Sequence, residues 1–178
     1  KLLAQLQKEG GHLASPQEKE MLRKAMWDDE RHRTVETVAI APQQLAKIAG
    51  FEIPADRKFI IVHGDGIGKE HHYSGEKLTT LLALYKYKGF DQALEMMRGV
   101  YEVGGKGHSC GIYSFDQSHI HALAMAAPVS RIMVRQPQSK ANAGAFNNGM
   151  PMTSSLGCGT WGGNIISENV HLKHYLNT

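Results

Sequence analysis

The sequence predicts an α/β protein with a mostly parallel sheet flanked by helices, folded as one domain or as one domain with a small appendage. Short apolar runs alternate with helical patterns along most of the chain, which favours parallel strands joined by right-handed crossovers. The 178 residues are 42% hydrophobic and 21% charged, as in a globular protein that buries a core. The pattern contains no internal repeat or linker.

Two helices are predicted near the N-terminus. Leucines recur at helical spacing over residues 2–6, and Gly10-Gly11 stops that pattern. Ser15 is the expected N-cap of the second helix, with Pro16 at its first position and Glu18 three residues after the cap.

The middle of the chain is predicted to contain a third helix and two strands. The helix should begin at Pro42 and end at Gly50, where glycine provides a C-terminal stop. Residues 59–62 form a β-branched apolar run that indicates a buried strand. Residues 78–87 fit a strand or a helix, and we favour the strand.

The second half of the chain continues the alternation. We predict an amphipathic helix over 90–103, a strand over 109–113, a helix over 117–126 and a strand over 131–134. Residues 136–164 show little periodicity and much Gly, Ser, Asn and Pro. A segment of that length without regular structure is typical of a functional loop.

Composition excludes several classes of function. The net charge of +3 is small and no basic stripe is interleaved with aromatic residues, which argues against nucleic acid as a partner. Two cysteines cannot form a disulfide framework, so we expect a cytoplasmic protein. No apolar run approaches the ~20 residues of a membrane span. The chain lacks an initiator Met and starts inside a helical pattern, so we expect a fragment of a longer protein.

The stretch "HGDGIGK", residues 63–69, resembles a phosphate-binding loop only superficially. A P-loop requires Gly, four residues, and then Gly-Lys-Ser/Thr, but here His63 stands five residues before Gly68 and Glu70 follows Lys69. We therefore interpret it as a glycine-rich loop that leaves a strand, and a nucleotide hydrolase is kept as the weakest alternative.

The ten histidines invite a search for a metal site. His119 and His121 lie two apart on a predicted helix, so they point about 200° apart and cannot share an ion. His71 and His72 are adjacent and lack a third ligand at useful spacing. From these densest pairs we predict no metal site.

His108 and the two cysteines are the remaining candidates for chemistry. His108 begins a predicted strand after a glycine-rich turn, and its surroundings in sequence fit a site residue or a structural hydrogen bond equally. Burial in a strand would raise the pKa of Cys110. Cys158 lies between two glycines, with no charged residue nearer in sequence than Glu168. We expect neither cysteine to be a nucleophile.

From about Ala39 to Thr178 the chain resembles the CoA-acylating aldehyde dehydrogenases. These include the acylating succinate-semialdehyde and sulfoacetaldehyde dehydrogenases and the aldehyde-oxidising half of bifunctional alcohol/aldehyde dehydrogenases. The motifs that carry the resemblance are "GEKLTTLLALYK" (75–86), "GGKGHSCGIYS" (104–114), "RIMVRQP" (131–137) and "FNNGMPMTSSLGCGTWGGNIISENVHLKHYLNT" (146–178).

The resemblance implies an aldehyde-dehydrogenase-like catalytic domain and a two-step reaction. A cysteine thiolate adds to the aldehyde, and hydride passes to NAD or NADP to leave a thioester. CoA then takes the acyl group. The nucleophile and the dinucleotide-binding domain would lie before Lys1. We therefore expect residues 1–178 to be a C-terminal catalytic-domain fragment, inactive alone, of a protein that is a homo-oligomer when complete.

The resemblance also assigns site residues. Glu76 matches the glutamate that hydrogen-bonds the nicotinamide ribose, although an ordinary surface glutamate is the alternative, and Leu78 should lie near the nicotinamide. His108 matches a histidine near the thioester. The wall of the acyl and CoA cleft should include the loop residues Gly157, Cys158, Gly159 and Thr160, whose glycines allow backbone turns with φ > 0.

The sequence departs from the family pattern at two places. Thr79-Thr80 stand where Ser-Pro is usual after Glu-Lys-Leu, and Arg135-Gln136-Pro137 replace Asn-Thr-Pro. The second departure favours the branch whose substrates carry an anion. Arg135 could pair with that anion, and a solvated arginine at the end of a strand is the alternative. A binding or scaffold domain of the same fold without catalysis is the second function that the sequence permits.

Overall fold

The computed structural model describes residues 1–176, and Asn177 and Thr178, with which the predicted domain ends, lie outside the described residues. The chain forms two compact units, Lys1–Lys86 and Tyr87–Thr178. None of the helices described is long and apolar enough to cross a membrane.

The first unit is built on three parallel strands. Its elements are α1 (Leu2–Lys8), β1 (Gly11–Leu13), α2 (Pro16–Met26), α3 (Pro42–Ala49), β2 (Phe59–His63) and β3 (Leu81–Leu84), with 3-10 turns at Val35–Thr37 and His72–Ser74. The strand order is β1-β2-β3. Gly11 is paired with Phe59, and Ile60 with Leu81. The predicted helices and strands are confirmed, whereas β1 was missed.

Local signals explain why α2 begins and why α2 and α3 pack together. The Ser15 hydroxyl accepts from the Glu18 amide and the Glu18 carboxylate accepts from the Ser15 amide, which is the predicted capping box. The fully buried side chains of this core come from these two helices and from the central strand, and they are Leu22, Met26, Leu45, Ala46, Ile60 and Val62.

The loop after β2 is not a phosphate-binding loop. Gly68 donates its amide to the Ser74 hydroxyl at 3.3 Å, and that hydroxyl donates to the Gly68 carbonyl at 2.9 Å. The loop leads into the three-residue turn His72–Ser74 and not into a helix, although a P-loop opens a helix with its last residues. The interpretation as a glycine-rich loop that leaves a strand is confirmed.

The second unit contains two parallel strands and two packed helices. Its elements are α4 (Phe90–Gly104), β4 (Cys110–Ile112), α5 (Gln117–Ala126), β5 (Ile132–Val134) and α6 (Gln138–Ala141), with 3-10 turns at Gly159–Gly162 and Leu172–His174. Strands β4 and β5 are paired in parallel, with Cys110 opposite Ile132. The predicted alternation is confirmed, and the parallel strands of the described chain divide between two sheets.

Candidate functional site

The glycine-rich loop of the second unit is an ordered hairpin. Gly157 donates its amide to the carbonyl of Glu168 at 3.2 Å, and Gly159 donates to the carbonyl of Ile166 at 2.9 Å. The 3-10 turn Gly159–Gly162 closes its tip. The end of the aperiodic stretch 136–164 is therefore held by backbone hydrogen bonds to residues 166 and 168. These bonds join two antiparallel segments, and a search for helix or strand periodicity along the chain does not detect them.

Two glycines let this hairpin lie against the turn before β4. Gly159 has a φ of +62°, the left-handed conformation expected from the sequence. Gly107 has a φ of +103°, and a Cβ atom there would lie 2.2 Å from the carbonyl oxygen of Cys158. Only glycine permits this contact, so the turn that carries His108 and the loop that carries Cys158 are direct neighbours.

Arg131 ties the turn and the loop together. Its side chain is 4% exposed, and its Nη1 donates to the carbonyls of His108 at 3.2 Å and of Gly157 at 2.9 Å. Nε donates to Asn169 Oδ1 at 2.5 Å, while the buried Nη2 has no partner among the described residues. Burial lowers the pKa of Arg131, but an arginine stays charged in proteins.

Asn169 extends this network to the preceding segment. It is 2% exposed, and its Nδ2 donates to the carbonyls of Asn142 at 3.1 Å and Pro151 at 2.8 Å. One buried amide therefore joins three stretches of chain that are distant in sequence. In the sequence, Arg131 marks only the start of a predicted strand, and no local pattern distinguishes Asn169.

The hydrogen bonds of Ser109 fix the tautomer of His108. The Ser109 hydroxyl oxygen accepts from Gln138 Nε2 at 3.0 Å and from Asn142 Nδ2 at 3.4 Å. Because a hydroxyl has two acceptor positions and one proton, that proton is donated to His108 Nδ1, 2.7 Å away. A neutral His108 therefore carries its own proton on Nε2, and the side chain is exposed.

Glu76 and Leu78 belong to the first unit and are displayed by a firmly held segment. Arg33 Nη2 donates to the Lys77 carbonyl at 2.9 Å, and the Ala39 amide donates to the Leu78 carbonyl at 2.8 Å. Glu76 is exposed, and its carboxylate has no hydrogen bond or ion pair with any described residue. Leu78 is 56% exposed with a φ of +47°, a conformation uncommon for a residue other than glycine.

Lys77, between Glu76 and Leu78 in the sequence, has a buried amine. Its Nζ donates to the carbonyls of Tyr73 at 3.0 Å and Gly75 at 2.7 Å, and burial lowers its pKa to about 8. Of the two threonines that depart from the family pattern, Thr80 donates its hydroxyl to the Ile40 carbonyl at 3.0 Å. The "GEKLTT" segment is thus anchored by backbone contacts on both sides of Glu76.

The two cysteines have different surroundings. Cys110 is 8% exposed in β4, which confirms its expected burial in a strand. Burial raises its pKa to about 11 against a smaller opposing effect of the Tyr101 hydroxyl. Cys158 is partly exposed, and its amide donates to Asn164 Oδ1 at 2.9 Å. The nearest charge in sequence is Glu168, yet the fold brings the Arg131 guanidinium to the adjacent Gly157 carbonyl.

Beside the hairpin lies an open cleft of about 430 Å³, lined by Ser155, Leu156, Gly157, Gly163, Asn164, Ile165, Ile166 and Val170. Gly157 lines this cleft, whereas Cys158, Gly159 and Thr160 form the adjoining face and tip of the hairpin. Thr160 is exposed. The cleft is mixed in character, with backbone, amide and aliphatic groups available to a ligand.

Arg135 already has local partners. Its Nη1 donates to the Ser114 carbonyl at 2.8 Å, and the guanidinium lies 5.0 Å from the centre of the Phe115 ring. The side chain is exposed, and its φ is +53°. No carboxylate among the described residues pairs with it, so the charge is open to an anion.

The histidine pairs considered from the sequence make separate contacts. His119 stacks on Phe90, with ring centres 4.1 Å apart. His72 meets the ring of Trp27 edge-on at 5.4 Å. One histidine of each pair therefore packs on an aromatic ring, and His71 Nε2 lies 3.4 Å from Glu70 Oε1.

No protein-family profile matches the chain. It is 37% identical to a sulfoacetaldehyde dehydrogenase of Acholeplasma sp over 164 residues, which are 90% of this chain and 34% of the relative. It is 35% identical to an acylating sulfoacetaldehyde dehydrogenase of Bilophila wadsworthia over 181 aligned residues, covering 98% of this chain and 39% of the relative. The chain thus spans well under half the length of these curated relatives.

A solved structure shares the fold. The structure of an acetylating aldehyde dehydrogenase from Geobacillus thermoglucosidasius superimposes with a TM-score of 0.90 and 35% identity. The match covers 97% of this chain and 38% of that one. The expected fold class is therefore confirmed.

The hydrogen bonds of Ser109 predict the state of His108 in solution. In ¹⁵N spectra of the neutral side chain, Nδ1 of His108 should show the shift of an unprotonated ring nitrogen and Nε2 that of a protonated one. Ser109→Ala should remove the bias and give mixed tautomers, whereas His121, on the exposed side of α5, should be unaffected by that change. Predominant Nδ1 protonation in the unmodified chain would contradict the assignment.

The raised pKa of Cys110 predicts slow alkylation. A shift from the ordinary 9.0 to about 11 lowers the thiolate fraction at pH 8 about a hundredfold. Iodoacetamide should therefore modify Cys110 about a hundredfold more slowly in the native chain than in guanidinium chloride, measured by peptide mass spectrometry. Equal rates in the two conditions would refute the buried position, and Cys158→Ser removes interference from the second thiol.

Proposed function

Since the chain belongs to the family of CoA-acylating aldehyde dehydrogenases, we propose that it is the thioester- and CoA-side part of an enzyme that converts an aldehyde, CoA and NAD(P)+ into acyl-CoA and NAD(P)H. One observation carries this proposal for the second unit: Arg131 holds the His108 turn and the "SLGCGTWGGN" loop together. We assign residues 1–178 to the catalytic part, with the nucleophilic cysteine and a dinucleotide-binding domain in segments before Lys1.

His108 has a specific role in this proposal. Its exposed Nε2–H is a hydrogen-bond donor, held in that tautomer by Ser109. Directed at the carbonyl oxygen of the thioester, this donor would stabilise the negative charge that develops when the CoA thiol attacks. We therefore propose that His108 acts as an electrophilic donor in acyl transfer.

The loop and its cleft suit the acyl and CoA groups. Gly157, Cys158, Gly159 and Thr160 present backbone and small side chains, so a pantetheine arm or an acyl chain could approach the hairpin closely. We propose that this face and the cleft of about 430 Å³ beside it form one wall of the acyl and CoA site. Cys158 is then a wall residue and not the nucleophile.

Glu76 and Leu78 fit contact with NAD or NADP. The exposed Glu76 carboxylate could accept from both hydroxyls of a ribose diol, and the exposed Leu78 offers an apolar surface to a nicotinamide ring. When bound, the nicotinamide supplies the hydride acceptor of the oxidation step. The anchored "GEKL" backbone would hold both side chains in place.

We propose a small anionic aldehyde as the substrate. Three relatives are named sulfoacetaldehyde dehydrogenases and another is named succinate-semialdehyde dehydrogenase, and these aldehydes carry a sulfonate or a carboxylate. Arg135 has no carboxylate partner among the described residues and could receive that anion. The complete protein is proposed to be a cytoplasmic homo-oligomer.

The competing proposal is a binding or scaffold domain of the same fold without catalysis. It predicts that the reading frame before Lys1 contains no nucleophilic cysteine and no dinucleotide-binding domain. The nucleotide hydrolase is not supported, because the glycine-rich loop after β2 leads into the three-residue 3-10 turn His72–Ser74 and not into an α-helix.

The proposed activity predicts two outcomes when NAD(P)H formation is measured by absorbance. The 178-residue chain should not reduce NAD(P)+ in the presence of aldehyde and CoA. A protein extended upstream through the nucleophile and the dinucleotide-binding domain should do so with sulfoacetaldehyde or succinate semialdehyde, and only when CoA is present. Equal reduction without CoA would indicate a hydrolytic dehydrogenase, and no reduction with any aldehyde would favour the scaffold.

The role of Arg135 predicts a selective effect in the extended protein. Arg135→Ala should raise the KM for an anionic aldehyde at least about tenfold, the value of a lost charged hydrogen bond, and should leave the KM for acetaldehyde unchanged. Arg98→Ala, which removes an exposed arginine of α4, is the matched control. An unchanged KM for the anionic aldehyde would exclude Arg135 from substrate binding.

A further inference from the structure

Glu168, His171 and His174 place three potential metal ligands together in the second unit. Their donor atoms all lie within 4.8 Å of one another. His174 Nε2 is 3.2 Å from Glu168 Oε1, and the two imidazole rings are perpendicular, with centres 4.8 Å apart. The group spans seven residues of sequence, and it lay outside the histidine pairs from which no metal site was expected.

The distances fit tetrahedral coordination by a zinc-like ion. Ligand bonds of about 2.0–2.2 Å place neighbouring ligand atoms about 3.3–3.6 Å apart in a tetrahedron. The contact between His174 and Glu168 already has nearly this length, and rotation of the exposed or half-buried side chains can bring the third donor into range. Two imidazoles and one carboxylate form a ligand set that zinc, cobalt and nickel accept.

The surrounding backbone orients His174. Its Nδ1 lies 3.1 Å from the carbonyl oxygen of His171, within the 3-10 turn Leu172–His174. Without an ion, Nδ1 accepts from the His171 amide at 3.0 Å and Nε2–H donates to Glu168 Oε1 at 3.2 Å. An ion at Nε2 requires the other tautomer, with the proton on Nδ1, and the His171 carbonyl is then its acceptor, as is common behind metal-bound histidines. The His174 side chain is 13% exposed, which limits its rotation.

The segment around Glu168 is also fixed by contacts with its neighbours. Asn169, next to Glu168, is buried and bonded to Arg131. The Glu168 carbonyl accepts from the Gly157 amide at 3.2 Å. The segment that carries Glu168 and the 3-10 turn that carries His174 are thus held before any ion binds. This reduces the conformational entropy that binding must remove.

One cation competes for the carboxylate. Lys173 Nζ lies 2.7 Å from Glu168 Oε1, on the same oxygen that His174 contacts. The side chains of Lys173 and Glu168 are both about half exposed, so Lys173 can turn into solvent when an ion occupies its place.

We propose that Glu168, His171 and His174 form a binding site for a divalent cation of the zinc type, with the remaining coordination position open to water. This site does not depend on the proposed dehydrogenase activity. An ion there would join the 3-10 turn Leu172–His174 to the strand of the hairpin that hydrogen-bonds Gly157, and so would stiffen the loop from outside the cleft.

The test is titration of the metal-free 178-residue chain with Zn²⁺ by calorimetry and with Co²⁺ by visible absorption. We expect saturation at one equivalent and the absorption bands of Co²⁺ bound to nitrogen ligands. His171→Gln and His174→Gln should each weaken binding at least about tenfold. His121→Gln removes an exposed histidine elsewhere in the same unit and should leave the affinity unchanged. Circular dichroism of each variant checks that the chain is folded.

Lys173→Met distinguishes a built site from adventitious histidine binding. Removing the competing ammonium should tighten Zn²⁺ binding about twofold to fivefold, the value of an exposed ion pair, because Glu168 becomes free. Absence of saturable binding, binding that survives both histidine changes, or equal weakening by His121→Gln would overturn the proposal. An affinity unchanged by Lys173→Met would overturn the participation of Glu168.

Discussion

The buried guanidinium of Arg131 is the constraint on which the second unit depends. A charge removed from water is costly unless it is hydrogen-bonded, and here the acceptors are two carbonyls and one side-chain amide in place of a carboxylate. Each acceptor belongs to a different stretch of chain. Any rearrangement that withdraws one of them leaves a buried donor without a partner, so the turn, the loop and the Asn169 segment are ordered together.

This shared constraint explains how an irregular segment can position chemical groups. The amides of Gln138 and Asn142 determine which way the Ser109 hydroxyl donates, and that hydroxyl determines the tautomer of His108. Asn142 also offers its carbonyl to Asn169. The tautomer of an exposed ring is thereby coupled to partly buried contacts from the first residue of α6 and from the loop residue that follows this helix.

Much of the fold could be predicted because its signals are local. The capping box at Ser15 defines the start of α2, and α5 has the predicted bounds of Gln117–Ala126. Strand β1 has only three residues and no apolar run, so it exists through its pairing with β2. The partners of Arg131 lie 23 to 38 residues away, and only the folded chain shows that they meet. The resemblance to a family supplied the proposed roles of His108 and Glu76, which periodicity could not provide.

The positions of the two tryptophans give each unit its own optical reporter. Trp27 is 7% exposed in the core of the first unit, whereas Trp161 is 50% exposed in the turn that closes the hairpin of the second. A shielded indole emits at shorter wavelength and resists quenchers in solution, while an open one emits further to the red. The intrinsic fluorescence of this chain is therefore a sum of two separable signals, one reporting on core integrity and the other on what happens at the hairpin tip.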